Sequence, residues 1–131
     1  MRTLTDHRVN AANDQLEITV TDEPGAGGAC HRYVVSGFDA DTNPSRGQAA
    51  PAGDHLDILF QNGPISEAGV NGVTHEALLA ILIDRLRSFQ SGPYACRENA
   101  LALTKLDEAQ MWLQARTRAR MARGVEGTHK V

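Results

Sequence analysis

The sequence predicts an α+β protein, in which a small N-terminal antiparallel β-sheet is packed on a C-terminal antiparallel helical hairpin. Three stretches in the first half of the 131-residue chain carry the apolar pattern of β-strands. Two stretches in the second half carry apolar residues at spacings of three and four, the period of an amphipathic helix. The order of elements is therefore β-β-β-α-α, and the short break between the helices makes them antiparallel neighbours.

The strand pattern is clearest in residues 16–21, where apolar and polar residues alternate. Residues 31–38 are rich in β-branched and aromatic side chains, and residues 54–61 place three large apolar side chains on one face. Residues 1–14 are polar and without periodicity, so they predict a flexible arm. Residues 39–53 contain two prolines and two glycines and predict a loop insert between the last two strands.

The helical pattern begins after Thr74, a residue suited to capping a helix over residues 75–90. A second helix is predicted from about residue 94 to residue 122. At roughly 40 Å it is longer than a small sheet covers, so we expect part of it to pack against a second chain in a homo-oligomer. Its inward seam follows steps of four and three and is not fully apolar. The seam consists of Asn99, Leu103, Leu106, Gln110, Leu113 and Thr117.

A chain of this length forms one domain, or one small domain with a long arm. We therefore expect the flexible arm at 1–14 to precede a single domain over 15–131. Within that domain the sheet takes about residues 15–61, the hairpin about 74–123 and a C-terminal tail 124–131.

Composition and charge exclude several classes of protein. Hydrophobic residues make up 41% and charged residues 22%, as in ordinary globular chains. There is neither an apolar run long enough to cross a membrane nor a signal sequence, so we expect a cytoplasmic protein without membrane association. Residues 1–91 carry 6 basic and 12 acidic side chains, and residues 92–131 carry 7 and 4. This acidic body argues against binding of DNA or RNA, whereas the basic end allows a local anion site.

The sequence gives catalysis little support. The five histidines are spread over different predicted elements, and the short motifs of zinc proteases, serine hydrolases and phosphate loops are absent. Glycines 25, 27 and 28 connect two strands rather than a strand and a helix, so the helix dipole of a phosphate loop does not apply.

An arginine cluster near the end of the second helix suggests anion binding. Arg116 and Arg120 are four residues apart and share a helix face, and no acidic residue lies within 109–125. Guanidinium groups suit phosphate oxygens, and two of them one turn apart match a diphosphate. The alternative is a solvated basic helix end that complements the helix dipole. Three aromatic residues could stack a base or pack in the core: Phe89, Tyr94 and Trp112.

Distinctive segments occur through about residues 55–131. They are FQNGPI at 60–65, GVNGVT at 69–74, EALLA at 76–80, DRL at 84–86, FQ at 89–90, NALAL at 99–103, AQMWL at 109–113, RTR at 116–118 and RGVEGTH at 123–129. Together they resemble the phage Thoeris anti-defence family, the cyclic ADP-ribose sponges. Residues 102–112 are also similar to the helical hairpin of phage anti-CBASS sponges for cyclic oligonucleotides.

The resemblance implies a non-enzymatic binding protein without cofactor or metal. Family members have an N-terminal sheet and C-terminal antiparallel helices, and assemble as dimers or as hexamers that are trimers of dimers. They bind glyco-cyclic ADP-ribose, the cyclic ADP-ribose isomer that a bacterial TIR enzyme makes from NAD, in the cytoplasm of the infected host. The downstream effector then stays silent. Some members also hold cyclic trinucleotides at a separate site, which blocks CBASS signalling.

The family's ligand residues carry over to four positions of this chain. The resemblance implies that Phe89 stacks on the adenine, that Asn99 hydrogen-bonds the base or ribose, and that Arg116 and Arg120 grip the diphosphate. Asn99 and Arg116 are 17 residues apart and roughly 100° out of line on one helix, so they cannot meet within it. We therefore expect a pocket in a dimer, with helices from two chains.

Three other functions remain as alternatives. An enzyme that cleaves the same signal, as a phosphodiesterase or a glycosidase, would release an altered product. A phage regulator that binds DNA or RNA through the arginine helix would show steep salt dependence. A purely structural phage protein would bind no nucleotide.

Overall fold

A computed structural model describes residues 1–47 and 53–130 of the chain. The fold class is α+β as predicted, with an antiparallel sheet in the first half and two long helices in the second. Contacts divide the chain into two compact units, Met1–Asn62 and Gly63–Val131. The packing of the sheet on the hairpin, and a single domain over 15–131, stay predictions.

The sheet has four strands in the order β1-β2-β3-β4, and each strand pairs antiparallel with the next. Val20 is almost fully buried, and the Phe60 and Tyr33 rings meet edge to face at 5.6 Å. The three predicted strands are confirmed, with ends that differ by at most two residues. The strands are β1 (Arg2–Leu4), β2 (Glu17–Val20), β3 (Arg32–Ser36) and β4 (His55–Leu59).

The prediction of three strands is corrected to four, because residues 1–14 contain the short strand β1. The backbone of β1 pairs with the edge of β2, with Arg2 opposite Val20. An unpaired strand edge offers hydrogen-bonding groups to any backbone, so this pairing needs no apolar pattern in β1. Helix α1 (Ala11–Gln15) follows, and the Asn10 side chain caps it. Strand β1 and all but the last residue of α1 lie where the sequence predicts a flexible arm, so that prediction is corrected.

The end of β3 requires glycine. Gly37 has a φ of +92°, and a Cβ atom there would lie 2.0 Å from the Gln15 carbonyl oxygen. In return, the Gln15 side chain donates a hydrogen bond to the Gly37 carbonyl at 2.7 Å. This close approach fixes the end of α1 against β3.

The insert predicted at 39–53 contains two short 3₁₀ turns, Ala40–Thr42 and Pro44–Arg46. Asp39 and Asn43 cap them with their side chains. The rest of the insert, residues 48–52, lies outside the described residues.

The connection between β2 and β3 depends on one carboxylate. Asp22 accepts hydrogen bonds from the backbone N–H groups of His31 at 2.9 Å and Arg32 at 3.1 Å. The bond from His31 is the main reason why the pKa of Asp22 lies below its usual value, because both bonds stabilise the charged form.

We expect Asp22→Ala to lower the midpoint of thermal unfolding at pH 7. A pKa lowered by folding stabilises the folded state above the unfolded pKa of about 3.9, and this stabilisation is lost as pH falls through the folded value. The difference between the two proteins, measured by circular dichroism, should therefore be constant from pH 6 to 8 and shrink below about pH 4. Asp22→Asn, which keeps an acceptor without a charge, should be intermediate. Equal midpoints for Asp22→Ala and the unaltered protein at pH 7 would contradict this role.

The second unit contains a short helix, α2 (Ile65–Ala68), and two long ones, α3 (His75–Gln90) and α4 (Arg97–Ala122). Thr74 caps α3 as predicted, since its hydroxyl accepts the Ala77 N–H at 3.1 Å. Helix α4 begins three residues later than predicted. The Gln90 side chain closes the intervening turn by accepting the Cys96 N–H at 3.0 Å, and Cys96 then caps the helix.

Helices α3 and α4 form the predicted antiparallel hairpin. The Gln110 side chain donates to the Glu76 carbonyl at 2.9 Å, and Arg87 pairs with Asp107 at 3.2 Å. Low residue numbers of α3 therefore lie beside high residue numbers of α4. All six seam residues of α4 are half-buried, which confirms the predicted seam. Gln110 fits this seam because its amide satisfies a backbone carbonyl of the facing helix.

Candidate ligand-binding site

An open cavity of about 570 Å³ lies at the turn end of the hairpin, between the last turns of α3 and the first turns of α4. Four side chains give it aromatic, cationic and amide character, and three leucines complete the wall. The first group consists of Arg85, Phe89, Tyr94 and Asn99, and the second of Leu82, Leu86 and Leu106. An apolar wall with a few polar groups is typical of small-molecule sites.

The structure brings Phe89 and Asn99 together in this cavity. Phe89 lies in the last turn of α3 and Asn99 in the first turn of α4, and both are half-buried. Their convergence follows from the antiparallel hairpin, which places the end of one helix beside the start of the next. The ring offers a stacking surface, and the amide offers both donors and an acceptor.

Tyr94 was predicted from the sequence to stack a base or pack in the core, and Arg85 was not predicted to lie in the site. The Arg85 guanidinium carbon lies 5.2 Å from the centre of the Phe89 ring, in cation–π geometry. The Tyr94 ring meets Phe89 edge-on, with centroids 6.3 Å apart. The signal for Arg85 was present in the sequence, because an arginine four residues before a phenylalanine shares its helix face.

Arg116 and Arg120 lie at the opposite end of α4. Asn99 and Arg116 are separated by about 25 Å along the helix axis, so one chain does not bring the four predicted residues together. Arg116 is exposed and makes no hydrogen bond or ion pair with the described residues. Its guanidinium is therefore available to a ligand.

Arg120 is 8% exposed and holds the C-terminal tail. Its Nε donates to the Glu126 carboxylate at 3.1 Å, and Nη1 donates to the Lys130 carbonyl at 2.6 Å. Its Nη2 donates to the carbonyls of Val125 at 3.0 Å and Thr128 at 3.2 Å. Four of the five N–H donors of the guanidinium are thus occupied within the chain.

The spacing suggested two exposed guanidinium groups side by side, but only that of Arg116 is exposed. Arg120 lies three residues after Thr117 and extends the half-buried seam by one more step. Arg116 lies off this seam and faces solvent. Membership of the seam, rather than the four-residue spacing, decides which arginine is buried.

The tail also contacts α2. The backbone N–H of Ser66 donates to the Gly127 carbonyl at 3.0 Å, and His129 lies 3.0 Å from the Glu67 carboxylate. Glu126, the one acidic residue within 109–130, is paired with Arg120. This end of the hairpin is consequently positive, with Arg116 on its exposed side.

Within residues 1–47 and 53–130, His, Cys, Asp and Glu side chains form no group of three or more that could hold a metal ion. None of the helices in the same ranges is long and apolar enough to cross a membrane.

Comparison with known proteins identifies the hairpin. Residues 52–118, just over half of the chain, match the family described as "Acb2/Tad1, hairpin domain", and this protein belongs to that family. The chain is also similar to "Thoeris anti-defense 1" of Bacillus phage SBSphiJ7, with 54% identity over 79 residues. That match covers 60% of this chain and 56% of the relative, little more than half of the relative's length. The resemblance stated from the sequence is confirmed.

Proposed function

We propose that this protein binds glyco-cyclic ADP-ribose tightly, without cleaving it, and so inhibits Thoeris defence in the infected bacterium. The observation that carries the proposal is the cavity in which the Phe89 ring, the Asn99 amide and the Arg85 guanidinium converge. Membership of the Acb2/Tad1 hairpin family, and the name of the phage relative, support it.

Each side chain has a defined task in this proposal. The adenine stacks on Phe89, and Asn99 hydrogen-bonds the base or the ribose. Arg116, exposed and without a partner among the described residues, supplies a guanidinium fork to the diphosphate. Arg120 holds the tail with four of its N–H donors, and we propose that the fifth contacts the diphosphate.

The complete pocket requires a second copy of the chain. Because Arg116 lies about 25 Å from Asn99 along α4, a second hairpin packed antiparallel to the first would bring its Arg116 to the Phe89 cavity. Large apolar side chains on both helices are exposed and would be covered by such packing. They include Ile81, Leu101, Met111 and Trp112. We therefore expect a dimer, or the hexamer built from three dimers that the family resemblance implies.

The chemistry of the cavity favours binding over cleavage. The cavity of about 570 Å³ has no carboxylate, histidine or cysteine among its lining residues in the described part of the chain, and the Tyr94 phenol is the one weak acid among them. Hydrolysis of a diphosphate or glycosidic bond needs an acid, a base or a metal. An aromatic stack and charge-assisted hydrogen bonds in a preformed pocket can still supply nanomolar affinity, about −12 kcal/mol.

Recovery of the ligand tests this proposal. Purified protein is mixed with glyco-cyclic ADP-ribose, unbound ligand is filtered away, and the protein is then denatured by heat. We expect mass spectrometry to find the ligand depleted from the filtrate and released intact. An altered product would indicate an enzyme. Absence of binding, together with salt-dependent binding of duplex DNA, would indicate a nucleic-acid regulator.

A further inference from the structure

We propose that Arg85 is a further ligand-binding residue, which contacts a phosphate of the nucleotide whose base stacks on Phe89. This inference rests on the proposed function and adds a residue and a recognised group to it. The Arg85 guanidinium lies at the turn end of the hairpin, in the same chain as Phe89 and Asn99. Arg116 of the second chain then serves the opposite side of the diphosphate.

Arg85 has no carboxylate partner among the described residues, although it lies in a helix that packs closely on its neighbour. Four arginines lie within 4 Å of a carboxylate, and these pairs are Arg32–Asp57, Arg46–Asp41, Arg87–Asp107 and Arg120–Glu126. Arg85 makes no hydrogen bond or ion pair with the described residues. Its one described interaction is the cation–π contact with Phe89. All five N–H donors of Arg85 are therefore available within the described chain.

Arg85 lies in the wall of the candidate ligand site. It lines the cavity of about 570 Å³ and also a second one of about 360 Å³ on the same turn, which Phe89 and Tyr94 share. An apolar residue would fit the spacing of Leu82, Leu86 and Phe89 on α3, yet this position carries a cation. Asp84 also lines the smaller cavity, whereas the larger one has no carboxylate among its lining residues in the described chain. A cation without a carboxylate partner on the wall of the larger cavity suits an anionic ligand.

Contact with Phe89 prepares Arg85 for this role. The guanidinium carbon lies 5.2 Å from the centre of the Phe89 ring, so a nucleotide whose base stacks on this ring would have a cation beside it. Because the ring already holds the guanidinium, less side-chain entropy is lost when its donors meet a phosphate. The arrangement therefore fits an adenine nucleotide, with its base on the ring and its phosphate on the arginine.

The test compares three full-length variants by calorimetric titration with glyco-cyclic ADP-ribose. Arg85→Met keeps an unbranched apolar stem and removes the charge. We expect it to weaken binding by about 10- to 100-fold, the range of a charge-assisted hydrogen bond. Arg85→Lys keeps the charge without the fork and should recover part of the loss. The control is Arg87→Met, which removes the same charge two residues away, outside both cavities, and should stay within about threefold of the unaltered protein.

The outcomes separate this inference from the proposed function. Binding by the unaltered protein, with Arg85→Met within about threefold of it, would overturn the role of Arg85 alone. An equal loss in Arg87→Met, or no recovery in Arg85→Lys, would also overturn it. Absence of binding by the unaltered protein would overturn the proposed function, and the role of Arg85 with it. Thermal unfolding of each variant shows that it is folded, as expected for an exposed position.

Discussion

Arg120→Ala should lower the free energy of unfolding of the ligand-free protein by about 2–4 kcal/mol. The substitution removes the donor from the Glu126 carboxylate and from three tail carbonyls at once. Because the Arg120 side chain is 10% exposed while that of Glu126 is 37% exposed, the loss should fall short of that for a fully buried pair. Urea denaturation followed by circular dichroism measures the change.

Two control variants separate the effect of the Arg120 contacts with the tail from the general effect of removing a positive charge. Arg118 is exposed on the same helix, so Arg118→Ala should change stability by no more than about 0.5 kcal/mol. Glu126→Gln keeps an acceptor for Arg120 and should cost about 1 kcal/mol or less. If Arg120→Ala were as stable as Arg118→Ala, the tail would not depend on Arg120.

Arg116→Ala should have the opposite profile, with a large loss of binding and little loss of stability. Removal of one partner of a desolvated charge pair costs about 2–5 kcal/mol of binding free energy. Because Arg116 is exposed and makes no described hydrogen bond, the free energy of unfolding of the variant should change by no more than about 0.5 kcal/mol. Titration with glyco-cyclic ADP-ribose, again with Arg118→Ala as control, measures the effect. Unchanged affinity in Arg116→Ala would remove this residue from the site.

The helical half of the fold could be predicted because its pattern is long. The seam of α4 repeats over several turns, and burial of each of its residues confirms it. One further step of three from Thr117 reaches Arg120, so its inward position was available from the same pattern. A spacing of four between arginines indicates a shared face but does not say which of the two is buried.

The missed elements of the sheet are short and depend on their neighbours. Strand β1 has three residues and α1 has five, which is too few for a repeat of apolar residues to be recognised in the sequence. Strand β1 forms because β2 has an edge to pair, and α1 ends where Gly37 allows close approach to Gln15. Neither cause lies within the segment itself, so local pattern could not reveal it.

The candidate site was predicted in part. Convergence of Phe89 and Asn99 follows from any antiparallel hairpin with a turn at residues 91–96, which the Ser-Gly-Pro break indicated. The cation–π contact of Arg85 could be anticipated only as a shared helix face, because a side-chain direction also depends on the facing helix.

A pocket shared between two chains can be tested by mixing two inactive variants. Phe89→Ala and Arg116→Ala each remove one half of every site, so neither protein alone should bind glyco-cyclic ADP-ribose tightly. When the two are co-expressed in equal amounts, half of the dimers are mixed, and each mixed dimer contains one site with both residues intact. We therefore predict recovery of about a quarter of the binding sites, at nearly the affinity of the unaltered protein. A mixture as inactive as its two components would show that the residues act within one chain, and would contradict the shared pocket.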